Sequence, residues 1–178
     1  MILNERDNRH AAILQAATAI MAAARTAPKG KGVDVIEITT VSGDDLLPIA
    51  AEMRNISEKT GFKFFLRDAD NIEIADAVVF IGTTDHPHGL NCGQCGFAEC
   101  GKRTAEVPCA INSIDVGIAL GSACSKAADM RIDTRIMMSA GLAAQNLGLL
   151  GECRQVIALL LSISSKNPFF DRKPKEQA

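Results

Sequence analysis

Four of the six cysteines fall between positions 92 and 109, in the run Asn91-Cys92-Gly93-Gln94-Cys95-Gly96-Phe97-Ala98-Glu99-Cys100 that continues to Pro108-Cys109. The spacing is C-x2-C-x4-C-x8-C. Such a segment reads poorly as helix or strand, because Gly93 and Gly96 each follow a cysteine directly and Gly82 and His86-Pro87-His88-Gly89 precede the run. A long irregular stretch inside a compact domain is expected to be functional or held by a ligand. Six cysteines in 178 residues are too sparse for a disulfide scaffold, so clustered thiols in a reducing cytoplasm point to metal or redox chemistry.

Four soft thiolates meet the ligand count of an iron–sulfur cluster, and Gly93 and Gly96 permit the positive φ angles that turn backbone amides toward its sulfides. Phe97 is placed to shield one side from water. Structural zinc is the rival, held by four cysteines or by three with His86 or His88. Zinc sites usually come as two close pairs, whereas here only Cys92 and Cys95 are paired closely. A thiol redox pair at Cys92 and Cys95 is the third reading, and it leaves Cys100 and Cys109 unexplained. Cys124 and Cys153 read as small buried hydrophobes. His86 and His88 read as loop hydrogen-bonding residues rather than ligands. Asp115, Asp129 and Asp133 show no pairing in the sequence.

The rest of the chain has the composition of an ordinary single globular domain, with 47% apolar and 22% charged residues and a net charge of −2. A single domain over 1–178 is expected, with a cluster loop at 82–110 and a solvated polar tail at 166–178. Seven Phe with no Trp or Tyr leave few platforms for stacking bases, and charges of mixed sign suggest neither nucleic acid nor an anionic membrane as partner. No apolar run approaches the ~18 residues that span a bilayer. The Ala-rich stretch 11–24 imitates a signal peptide, but Gln15 and Thr18 interrupt it as on an amphipathic helix.

Periodicity and punctuation predict helices over 8–25, 44–60, 110–128 and 133–149, the last capped by Asp133, and strands over 33–38, 77–81 and 156–163. Residues 61–66 read as a strand or the start of a helix. Pro28 stops the first helix, and Lys29-Gly30-Lys31-Gly32 forms a basic loop that is either solvated or able to meet a phosphate.

Gly89-Leu90-Asn91-Cys92-Gly93-Gln94-Cys95-Gly96, Cys100, Cys109-Ala110, Asp115-Val116-Gly117-Ile118-Ala119-Leu120-Gly121-Ser122-Ala123, Asp133-Thr134-Arg135-Ile136-Met137 and Lys166-Asn167-Pro168-Phe169-Phe170-Asp171-Arg172 together resemble the prokaryotic family of uncharacterised ferredoxin-domain-containing proteins. That resemblance implies a 4Fe-4S cluster on Cys92, Cys95, Cys100 and Cys109 and by itself no reaction; with every iron cysteine-ligated, electron transfer to a redox partner is the expected role. Two flanking segments, Ala22-Ala23-Ala24-Arg25-Thr26-Ala27-Pro28 and Gly141-Leu142-Ala143-Ala144-Gln145-Asn146-Leu147-Gly148-Leu149, resemble the flavin-dependent nitroreductase fold. This second resemblance implies an α/β (α+β) three-layer sheet with packed helices and a homodimer with FMN at its interface. By it, Pro28, Lys29, Gly30 and Lys31 would lie over the flavin and Arg172 and Lys173 would approach its phosphate. The Arg-Ser-x-Arg phosphate segment of nitroreductases is missing, and only Arg6 and Arg9 stand nearby.

Overall fold

The computed structural model describes residues 1–171. Asn4 caps the first helix, α1 (Glu5–Thr26), by accepting a hydrogen bond from the Arg6 amide. Strand β1 (Ile36–Ser42) follows, then α2 (Leu47–Thr60), which begins with Pro48 in its first turn and ends at Gly61 with φ 77°. After α3 (Phe64–Glu73) come β2 (Ala77–Thr83), α4 (Ala110–Asp129), β3 (Asp133–Met137), α5 (Met138–Asn146) and β4 (Arg154–Ser162).

The strands form one antiparallel sheet in the order β1-β2-β4-β3. Period-two alternation sends Val78 and Phe80 of β2 and Val156, Ala158 and Leu160 of β4 to a core shared with α2, α3 and α5. Their neighbours Ala77, Val79, Ile81, Leu159 and Leu161 enter a second core with α1 and α4. Both faces of the central strands are thus covered, which is why Ala77–Thr83 is buried throughout and reads as a continuous apolar run. The expected three-layer arrangement of helices about a sheet is present.

Three expectations need correction. The first strand begins at Ile36 rather than Val33. The helix expected over 133–149 is two elements: 133–137 is strand β3, Asp133 pairs with Ser162 rather than capping a helix, and α5 starts only at Met138. Thr134 and Ile136 are β-branched, and an open edge of β4 gives their backbone a ladder that helical periodicity could not reveal. The third concerns the tail. Phe169 is 2% exposed in the α2/α3/α5 core, Arg135 donates to its carbonyl at 2.5 Å, and the same guanidinium lies over the Phe170 ring at 5.0 Å. The tail is therefore docked through Phe169, while Lys166 and Asp171 remain exposed.

Helix α5 approaches β4 closely enough that a Cβ on Gly141 would lie 1.8 Å from the Val156 carbonyl oxygen. Backbone on both sides cannot yield as a side chain would. Gly141→Ala is expected to destabilise the fold by about 3 kcal/mol, a Tm loss of roughly 6 to 12 °C in a thermal melt.

Candidate metal centre

Between β2 and α4 the chain runs from Thr84 to Cys109 with only one 3-10 turn, Cys100–Lys102. Each end of this loop is tied to the core. At the first, the His88 ring is fully buried, with Nε2 3.2 Å from Asp115 Oδ2 on α4. The same carboxylate accepts the Gly30 amide at 3.0 and 3.1 Å, while Lys31 Nζ donates to the His88 carbonyl. One turn earlier on α4, Asn112 Nδ2 donates to the carbonyls of Thr84 and His86. His88 is thus the hydrogen-bonding loop residue expected, but its partner was missed. The available signal was an acid on a helix whose neighbours, such as Val116 and Ala119, are core residues, since buried charges are almost always paired.

The second anchor is Arg103, whose Nη2 lies 2.7 Å from Asp85 just past β2 and whose Nη1 donates to the Val107 carbonyl. Arg154 of β4 reaches the Ala105 carbonyl and stands 3.9 Å from the other Asp85 oxygen. Buried side-chain polar atoms without a hydrogen-bond partner, among the described residues, are His88 Nδ1, Arg103 Nε and Asn112 Oδ1. All three belong to these anchors.

The cysteines hang from this frame. Cys109 is buried immediately before α4, and its carbonyl accepts the Ser113 amide and hydroxyl. Cys92 is exposed, while Cys95 and Cys100 are partly exposed. All six cysteines are free thiols. Gly93 and Gly96 have φ of 72° and 89°, the left-handed backbone expected of them. In donor chemistry this set fits an iron–sulfur cluster, with four thiols in one loop and backbone amides turned by glycine. It is not drawn together around one point: among the described residues no three His, Cys, Asp or Glu side chains are grouped as a metal site.

Cys124 and Cys153 stand apart, one against the α1/α4 core and the other within the α5 core. Burial pushes both thiols up, aided at Cys153 by the Glu37 carboxylate, so both stay protonated and unreactive at neutral pH.

Among the flavin-loop candidates Lys29 and Gly30 are partly buried and Lys31 is exposed. Lys29 Nζ donates to the carbonyls of Arg25 and Ala27, the Gly30 amide is taken by Asp115, and Lys31 Nζ by His88. A Cβ on Gly30 would lie 2.5 Å from Ile111. Pro28 is exposed at the start of this loop. The Lys29 ammonium and Gly30 amide are thus engaged by other groups of the protein. Arg172 and Lys173 lie outside the described residues.

An antiparallel sheet covered by helices on both faces, with a long cysteine-bearing loop inserted before α4, defines a nitroreductase-like fold carrying a thiol loop. Solved structures bear this out: a nitroreductase with bound FMN from Bacteroides fragilis superposes with a TM-score of 0.60 at 14% identity, over 91% of this chain and 83% of the other. A nitroreductase with bound FMN from Desulfitobacterium hafniense gives 0.56 at 16% identity, over 92% and 86%. The particular family follows from sequence. Residues 105–172 match the family described as "Uncharacterized protein containing a ferredoxin domain", and an uncharacterized protein of Archaeoglobus fulgidus is 41% identical over 99% of this chain and all of its own length. The chain belongs to that family. The matched segment contains Cys109 and stops short of Cys92, Cys95 and Cys100.

Proposed function

We propose that this protein is a redox protein that carries a 4Fe-4S cluster on Cys92, Cys95, Cys100 and Cys109 and passes single electrons to a partner protein. The observation that carries this reading is four free thiols on one irregular loop whose two ends are anchored by buried polar contacts. The ferredoxin domain in the family's description supports it. The cluster supplies one-electron chemistry, and full cysteine ligation leaves no open iron position, which favours transfer over substrate activation. The protein's part is to hold the thiols, bury Cys109 and set hydrogen bonds to sulfur.

A second reading is favoured by the fold neighbours with bound FMN: a cytoplasmic homodimeric oxidoreductase in which a flavin does the substrate chemistry and the cluster feeds it. The phosphate would then need donors other than Lys29 and Gly30.

Anaerobic purification with iron, acid-labile sulfide, zinc and flavin measured on one sample tests both. About four irons and four sulfides per chain, with broad absorption near ~400 nm that bleaches on reduction, is the expected result. FMN in addition selects the second reading. A colourless protein with about one zinc and no sulfide overturns the redox assignment and leaves a structural site.

A further inference from the structure

Asn91 is one of four non-glycine residues with a left-handed backbone among those described, at φ 50°. Asparagine tolerates that conformation better than most residues. The bend brings Asn91 against Cys100 in a reciprocal pair of contacts: the Asn91 amide donates to Cys100 Sγ at 3.3 Å, and Asn91 Oδ1 accepts the Cys100 amide at 2.8 Å. The two residues are nine apart, so the pair closes the segment that contains Cys92 and Cys95 into a ring. Both contacts are made by the same two residues, one from the backbone and one from the side chain of Asn91.

The geometry points to Asn91 as the positioning residue for Cys100, holding the thiolate in place and tuning the charge on its sulfur. This rests on the reading that Cys100 is a cluster ligand. An N–H donor to a cysteine sulfur stabilises negative charge there, and the reduced cluster carries more of it, so the bond raises the reduction potential. Fixing the Cys100 backbone from the opposite end of the ring also opposes ligand loss.

The test is a series at one position, measured on the full chain. Asn91→Ala removes the acceptor and disfavours the bend, Asn91→Gly keeps the bend without the acceptor, and Asn91→Asp keeps both. Asn91→Ala is expected to release iron to a chelator about tenfold faster or more, with a lower reduction potential. Asn91→Asp should restore the release rate toward that of the unmodified chain, and Asn91→Gly should release iron faster than Asn91→Asp. Exchange of the Cys100 amide, followed with and without iron, should be faster in the Ala and Gly variants. Unchanged release, potential and amide exchange in Asn91→Ala and Asn91→Gly would overturn the role of Asn91 while leaving the cluster in place. If the unmodified chain holds no iron or sulfide, the cluster reading itself falls, and amide exchange still reports whether the clamp exists. Should Asn91→Ala fail to fold, Asn91→Gly carries the comparison.

Discussion

Serine at Cys100 strips the protein of most of its iron and acid-labile sulfide, whereas alanine at Cys153 leaves both in place. That is the expected outcome of metal analysis on anaerobically purified variants, and it follows from where the thiols sit. Cys100 is partly exposed on the loop between the His88 and Arg103 anchors, and a hard hydroxyl there would replace one of the four soft ligands proposed for the cluster. Cys153 is enclosed by the α5 core beside Val156 and Gly82, and its thiol is held protonated. Cys92→Ser should behave like Cys100→Ser, and Cys124→Ser like Cys153→Ala. Equal iron loss from Cys153→Ala, with an unchanged circular dichroism spectrum, would overturn the ligand assignment.

The second large effect is expected at Asp115, whose replacement by alanine should cost about 2 to 5 kcal/mol, since it leaves two donors unsatisfied at about 1 to 3 kcal/mol each. Two groups lose their acceptor at once. His88 Nε2 and the Gly30 amide both meet this carboxylate, and His88 Nδ1 already has no partner. The change would leave buried donors unsatisfied and untie the loop at 28–32, the start of the cysteine loop and α4 from one another. Asp115→Asn, which keeps one oxygen for the Gly30 amide, should cost less. Urea unfolding with matched m-values checks the ranking, and equal midpoints for Asp115→Ala and the unmodified chain would show that the pair contributes nothing to stability.

Much of this protein was legible from residue order, and where legibility stopped has a physical cause. The long helices α1 and α4 declared themselves through the pattern of their small apolar residues, α2 through Pro48 in its first turn and Gly61 at its end, and β2 through an apolar run between turn signals. The segment 133–149 misled because its small apolar residues satisfy a helical pattern from the outset, while its first five residues are claimed by the edge of β4. Local propensity is a weak prior against a ladder of backbone hydrogen bonds supplied by a distant strand. The docking of Phe169 was hidden for the same reason, since its pocket is assembled from α2, α3 and α5.

The candidate site divides along the same line. Which thiols are clustered and which glycines can turn the backbone are properties of adjacent residues, so the chain order alone determined the kind of chemistry this loop is suited to. What holds the loop was decided only in three dimensions. His88 and Asp115 lie 27 positions apart, Gly30 and Asp115 lie 85 apart, and Arg154 meets Ala105 across 49. Folding takes His88 and Asp115 out of water, where each must find a partner or incur the desolvation cost, and that requirement selects contacts between residues that no spacing in the sequence relates.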